Sequence, residues 1–372
     1  MTDARRKFRI ANLTGRGPRR QRFFATLNFD LWTLNFSFAL VNQALPFVTV
    51  VIPACPEQAE IPALTASRVL DYPREKLELL VVRGRQPAVQ RNAALKAARG
   101  ELIYFLDDDS TPQRGNLRRA VSHFSNPNVQ LVGGPNLCPP DAPAREQVFA
   151  VALASWLAFG PSRARYDAVG RLRETSEKEL ILCNLVARRD ALQAAGGFDE
   201  SLYPNEENAL MDALQKRGAK LLYDPELVVY RRPRPTLKAF GRMLMTYGRG
   251  RAEQFRLHPT AGSLLNWVPP LFCVWLLTFP ARYMLVALGG PAARSWGFYP
   301  DIAVASAYVL ALAIQTAYSS FRHGSKKSLP ALPLIVLTPL CYGIGFWRGL
   351  FTRLERAGAG PAREVVLEKI DV

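Results

Sequence analysis

Three apolar runs crowd the last third of the chain. They are 264–288 (LLNWVPPLFCVWLLTFPARYMLVAL), 299–318 (YPDIAVASAYVLALAIQTAY) and 329–347 (LPALPLIVLTPLCYGIGFW). Each is near the ~20 residues that a helix needs to cross a bilayer. The first holds one arginine and three prolines, the second one aspartate near its start, and the third no charge. Arg249, Arg251 and Arg256 precede the first run, and Arg322, Lys326 and Lys327 follow the second. Placing both basic clusters in the cytoplasm satisfies the positive-inside rule with two crossings. The third run carries Pro330, Pro333, Pro339, Gly343 and Gly345, which allow a kinked span or a shallow re-entrant piece. A full third crossing would carry Arg353 and Arg356 outward, against the rule. The expectation is a multi-pass membrane protein with two or three transmembrane helices in 263–350 and a tail in 351–372.

The formal net charge is +17 over 372 residues. Such an excess favours an anionic partner: nucleic acid, an acidic lipid surface or a phosphorylated substrate. Nucleic acid is set aside, because the positive charge collects near the apolar runs and no recognition motif is present. Anionic membrane lipid fits better. Residues 1–25 read as a basic arm and 27–45 as an interfacial or docking helix, so 1–46 form one unit ahead of the main domain. The first 22 residues lack the apolar core of a secretory signal. Residues 236–262 hold a basic amphipathic interface helix, with Leu237, Phe240, Leu244 and Tyr247 on one side and Lys238, Arg242, Arg249 and Arg251 as charge. The five cysteines are scattered and form no C-x-x-C pair, so neither a zinc site nor a disulfide framework is expected.

Residues 47–235 alternate β-rich runs with helical patterns. FVTVVIPA, LELLVV (77–82), ELIYFLD (101–107), VQLVGG (129–134) and LILCNLVAR (180–188) read as strands, and Pro87 opens a helix carrying AVQRNAALKAAR. This alternation predicts an α/β domain with a mainly parallel sheet and helices on both faces. In such sheets ligands bind beyond the carboxyl ends of the strands. Asp107, Asp108 and Asp109 stand at one such end. A single acid there caps the next helix, and Asp109-Ser110-Thr111-Pro112 could do that. Capping accounts for one carboxylate, not three. A hard divalent cation, Mg²⁺ or Mn²⁺, accounts for the cluster, since such ions bind through one or two carboxylates plus substrate phosphates.

The order and spacing of VVIPA (50–54), DYP (71–73), QRNAAL (90–95), GELIYFLDDDS (100–110), GGP (133–135), GGFDE (196–200), NEEN (205–208) and KLLYDPELVVYRR (220–232) resemble those of family 2 glycosyltransferases. The likeness covers roughly residues 47–257 and is strongest to the membrane-bound, non-processive members of bacterial surface polysaccharide synthesis. It implies the GT-A fold, a nucleotide-diphosphate sugar donor (a UDP-sugar by default) and a lipid-linked or polysaccharide acceptor. It further implies inverting transfer at the cytoplasmic face of a bacterial inner membrane. Carried onto these residues, Asp109 would hold Mn²⁺ or Mg²⁺, with Asp107 on the metal or the ribose and Asp108 in support. Pro53 and Glu57 would border the nucleotide, and Arg91 and Asn92 would lie beside it. Glu207 falls at the position of the family's catalytic base, with Glu206 as its alternative. Arg231, Arg232 and Arg234 follow the last strand, where the family has a basic residue facing the diphosphate; Arg232 is assigned that role.

Two departures stand out. Where many members carry D-G-S-x-D, this chain has VVRGRQPAVQRN, so Arg83 and Arg85 replace the base-contacting aspartate and could meet the diphosphate. The Q-x-x-R-W motif of processive synthases is absent. The rival readings are a processive polysaccharide synthase and an inactive nucleotide-sugar-binding scaffold.

Overall fold

The computed structural model describes residues 45–202, 204–259, 261–288, 299–354 and 364–371. The basic arm and the docking helix expected ahead of Leu45 lie outside the described residues.

The strand-forming runs pair in the order β11-β2-β1-β3-β8-β5-β9-β7. Here β1 is Val48–Ala54, β2 Leu77–Arg83, β3 Leu102–Leu106, β5 Val129–Gly133, β7 Arg173–Thr175, β8 Asn184–Arg188, β9 Lys220–Tyr223 and β11 Val366–Ile370. The core is parallel: β1 lies between β2 and β3, with Val51 opposite both Leu80 and Phe105. Beyond β3 the sheet is mixed, with β8 antiparallel to β3 and β5, and β9 parallel to β5. Every residue of β1 and β3 is buried. Val50, Ile52, Tyr104 and Leu106 pack on one face, while Val51, Ile103 and Phe105 pack on the other. Burial on both faces explains why these strands read as continuous apolar runs.

A second small sheet joins β4 (Thr111–Pro112), β6 (Asn136–Leu137) and β10 (Val229–Tyr230). The helices around the sheets are α1 (Pro62–Ser67), α2 (Pro87–Ala97), α3 (Asn116–His123), α4 (Ala144–Leu153), α5 (Trp156–Phe159), α6 (Arg189–Ala194) and α7 (Glu206–Lys216). After them come α8 (Leu237–Leu257), α9 (Val268–Leu288), α10 (Tyr299–His323) and α11 (Ser325–Phe351). Among the described residues, three helical segments are long and apolar enough to cross a membrane: Leu264–Leu288, Tyr299–His323 and Ser325–Phe351.

These segments differ in what covers them. The apolar window of α11 is 39% buried, against 6% and 11% for the other two. Ala331, Leu334 and Ile335 of α11 pack with Phe149 of α4 and with Phe240 and Leu244 of α8. The α8 and α11 partners advance together, Gly241 with Cys341, Met245 with Gly345, and Arg249 with Gly349. The two helices therefore run side by side in the same direction. A Cβ on Gly345 would sit 2.0 Å from the Met245 carbonyl oxygen, so only glycine permits this approach. Helices α9 and α10 meet through Asp301, which accepts from Trp275 Nε1 at 2.8 Å and pairs with Arg282 at 2.9 Å, and α9 also meets α11, where Trp347 Nε1 donates to Pro270 O at 3.0 Å. Arg322, at the end of α10, pairs with Asp167 of the sheet domain at 3.0 Å.

The stretch 351–372 is not simply a tail. Within it Val366–Ile370 forms β11, antiparallel to β2, with Leu367 opposite Val82. Glu368 of this strand takes Arg83 Nε at 2.6 Å.

Candidate active site

The parallel core brings the carboxyl ends of β1, β2 and β3 to one rim. Gln90, on the first turns of α2, braces two of them by donating to Ala54 O at 2.9 Å and Val82 O at 2.6 Å. Past the rim lies a cavity of about 630 Å³. Pro53, Arg91, Asp107, Asp108, Glu206, Glu207 and Arg231 all line it.

Carboxylates and guanidinium groups alternate across this space. Arg91 spans Glu206 Oε1 at 2.9 Å and Asp107 Oδ1 at 3.0 Å. Arg231 spans Asp107 Oδ2 at 2.9 Å and Asp109 Oδ1 at 2.6 Å. The β4–β10 register explains the second bridge. Tyr230 lies opposite Thr111, so the next residue, Arg231, arrives beside Ser110 and Asp109. Arg232 then points the other way and forms a two-pronged pair with Glu146 of α4, at 2.6 and 2.7 Å. This corrects the assignment of Arg232 to the diphosphate: the arginine at the carboxylates is Arg231. Alternation of side chains along an extended segment allows only one of two neighbours to face the cleft.

Three further expectations, for Asn92, Glu57 and Arg83, are revised by position. Asn92 does not face the cavity; it accepts from Phe198 N and donates to Phe198 O and Glu200 Oε1, each at 2.8 Å, and so fixes the 198–200 loop. Glu57 is exposed and ion-paired with Arg85. Arg85 is thereby engaged by Glu57, and Arg83 by Glu368. Arg85 still lines the cavity that holds Asp107 and Asp108.

Glu206 and Glu207 open α7. The residue ahead of them, Asn205, is buried in the left-handed region with φ 99°, an uncommon conformation for a residue with a side chain. Its Oδ1 accepts from Asn208 Nδ2 at 2.8 Å, and its own Nδ2 is buried with no hydrogen-bond partner. Across from it, a Cβ on Gly250 of α8 would fall 2.4 Å from Asn205 Nδ2. The start of α7 is thus pressed directly against α8. Burial pushes the Glu206 carboxyl up to about 7, aided by the neighbouring Glu207 charge and opposed by Arg91. Its Oε2 is buried without a hydrogen-bond partner, while Oε1 is held by Arg91. Glu207 lines the cavity, with Asn208 Nδ2 3.4 Å from its Oε1.

Among the described residues no group of three or more His, Cys, Asp or Glu side chains is arranged around a common point. Asp109 nevertheless suits a hard cation. Burial raises its pKa, Asp107 and Asp108 raise it further, and only Arg231 opposes them. A cation shared with substrate phosphates needs just one or two such carboxylates. The donor set fits on those terms.

The far end of the cavity is built differently. Leu265, Val268 and Pro269 at the start of the first apolar segment and Thr338, Pro339 and Tyr342 of α11 line it, together with Arg165 and Arg251. Leu265 and Val268 are exposed, at 60% and 61%. The sheet-end acids and the apolar helices therefore share one space.

The model of glycosyl transferase family group 2 matches residues 102–347, from β3 through most of α11. The chain belongs to this family. Because the match includes all three apolar helices, they are part of the family's shared architecture rather than an appendage. The chain is 27% identical over 356 residues to the pre-mycofactocin glycosyltransferase of Mycobacterium tuberculosis, covering 86% of this chain and 70% of the relative. It is 29% identical over 206 residues to the succinoglycan biosynthesis protein ExoA of Rhizobium meliloti, 55% of this chain and 56% of that one. Among solved structures, a mannosyltransferase of Pyrobaculum calidifontis, PcManGT, in complex with GDP-Man and Mn²⁺ superposes with a TM-score of 0.51 at 18% identity. The superposition covers 82% of this chain and 94% of that one, a likeness of fold. The fold is GT-A and the protein is a glycosyltransferase.

Proposed function

We propose that this glycosyltransferase is membrane-attached and moves one sugar, with inversion, from a nucleotide-diphosphate donor to a lipid-linked or saccharide acceptor. The observation that carries this reading is the shared cavity, with Asp107 and the Glu206–Glu207 pair at one end and apolar helices at the other. In this reading Pro53 and the ends of β1 and β2 border the nucleotide, with a UDP-sugar as the default donor. Asp109 and Asp107 would hold Mn²⁺ or Mg²⁺, which when bound neutralises the departing diphosphate. The Mn²⁺ in the complex of the archaeal mannosyltransferase supports that assignment. Arg231 and Arg91 keep the acids apart and oriented.

Glu207 accepts the proton of the acceptor hydroxyl as its oxygen bonds to the anomeric carbon. The bond from that carbon to the donor phosphate oxygen breaks on the opposite side, and the nucleoside diphosphate leaves with the electron pair. Glu206, tied to Arg91, is less free to meet an acceptor and stands as the alternative base. A bacterial surface polysaccharide pathway is supported by the succinoglycan relative.

The contacts support one membrane arrangement. Helix α9 leaves the interface helix α8, and α10 returns to the sheet domain through Arg322 and Asp167. After α11 the chain rejoins β2 as β11. Chain that starts and ends on one side crosses an even number of times. Two crossings, α9 and α10, with α11 lying beside α8 at the cytoplasmic surface, meet that parity and the positive-inside rule together.

The deciding experiment is Glu207→Gln. Donor binding, read by isothermal titration with Mn²⁺, should stay within about twofold. Transfer should fall by about 10²- to 10⁴-fold, the usual contribution of general base catalysis. Unchanged turnover would move the base to Glu206.

A further inference from the structure

Among the described residues, two arginines that line the cavity form no ion pair. Arg165 closes the short 3-10 segment Gly160–Arg165 and is 9% exposed. Its Nη2 donates to Asn208 Oδ1 at 2.6 Å and to the Glu177 carbonyl, while its Nε is buried with no hydrogen-bond partner. Arg251 of α8 donates through Nη1 to Gln254 Oε1 at 3.1 Å. Among the described residues neither guanidinium forms an ion pair, and Glu177 and Glu207 act on Arg251 only through space. Burial pulls the Arg251 pKa down, and the like charge of Arg165 pulls it further. Two like charges that line one cavity and are partly withdrawn from water, with no bonded carboxylate, are eased by an anion that joins them.

Their surroundings say which anion. Asn208, which holds Arg165, follows Glu207 directly, so the pair lies on the base's side of the cavity. On the other side of Glu206, Arg91 leads toward the aspartates. Beyond the pair lies the wall of Leu265, Val268, Pro269, Thr338 and Pro339, open to an apolar chain.

We propose that Arg165 and Arg251 form an anion subsite for the phosphate or diphosphate ester of an amphiphilic acceptor, whose apolar chain lies along that wall. This rests on the transferase reading and adds to it the chemical class of acceptor. A guanidinium pair suits a phosphate ester because both present planar donor forks to its oxygens. The ester then sets the distance from the acceptor hydroxyl to Glu207.

The test uses the full chain in neutral detergent, with decyl diphosphate, inorganic pyrophosphate and UDP titrated separately. Arg251→Gln and Arg165→Gln should each weaken decyl diphosphate by about 10- to 100-fold, the range for a lost charge-assisted hydrogen bond. UDP affinity should stay within about twofold, and Arg251→Lys should recover part of the loss. Pyrophosphate should bind at least about tenfold more weakly than decyl diphosphate, since it cannot use the apolar wall. The ligand-free Tm of Arg251→Gln should hold or rise, because a buried uncompensated charge has been removed. Unchanged decyl diphosphate binding overturns the subsite. An equal loss of UDP gives the pair to the donor, and a lower ligand-free Tm makes Arg251 structural; either result also overturns it. Pyrophosphate binding as tightly as decyl diphosphate overturns the amphiphile. Binding is read without turnover. A chain that transfers no sugar leaves this result standing, and a failed subsite leaves the Glu207→Gln test untouched.

Discussion

The two ends of the cleft treat charge in opposite ways. At the sheet end, Glu206, Arg91, Asp107, Arg231 and Asp109 alternate in sign along one chain of contacts of 2.6–3.0 Å. Each charge there touches an opposite one, with three carboxylates sharing two guanidinium groups, so the geometry is held before any ligand arrives. At the helix end, Arg165 and Arg251 line the cavity with no carboxylate bonded to either among the described residues. The first arrangement carries its own opposite charges, while the second leaves two cations for an anion to join. On the proposed reading the donor enters a site already shaped for it, and the arginines keep their attraction for the second substrate.

The largest effect is expected where the first end is broken. Asp109→Ala should abolish the Mn²⁺ dependence of donor binding. The loss should exceed the roughly 10- to 100-fold seen when an outer-shell partner of a metal is removed. Titration of UDP with and without Mn²⁺ reads it, and a retained metal dependence would place the cation elsewhere. The second end should break separately. Gly345→Leu forces a side chain into the Met245 carbonyl and pries α11 from α8. Overpacking of this kind costs about 1–3 kcal/mol, visible as a lower Tm. Decyl diphosphate binding should fall while UDP binding holds; equal losses would mean that the two ends are not independent.

The smallest effect is a pH dependence confined to Glu206. Its ordinary value of 4.5 is raised to about 7 in the folded protein. The folded chain therefore holds a proton that the unfolded chain has released between these values. Stability falls as pH rises from about 4.5 to about 7 and levels off above. Glu206→Gln should flatten that slope in urea titrations at pH 5 and pH 8. An unchanged slope would assign it to another group.

Much of the fold was legible because β1, β2 and β3 are buried on both faces and so are written as unbroken apolar runs. The strand expected at 180–188 begins only at Asn184. Leu180, Leu182 and Cys183 are buried, but the chain there turns before it enters the ladder. The last strand escaped notice because VLEKI is short, charged and half-exposed, and it pairs with a strand nearly 300 residues earlier. The aspartates and the Glu206–Glu207 pair were legible as local motifs. Whether Arg231 or Arg232 faces the aspartates depends on the register of β10 on β4, which no local pattern encodes. In QRNAAL three successive helical positions diverge: Gln90 braces two strands, Arg91 enters the cavity and Asn92 secures a loop. Arg165 and Arg251 lie far apart along the chain and meet only through tertiary packing.

The meeting of Gly250 with Asn205 has a mechanical consequence. The left-handed residue that launches α7 is braced by α8, where Gly250 meets the Asn205 amide and the Pro204 carbonyl. On the proposed reading, with α8 on the lipid and Glu207 as the base, detaching α8 from the bilayer would pull on the joint that aims the base and would blunt transfer before it unfolds the sheet.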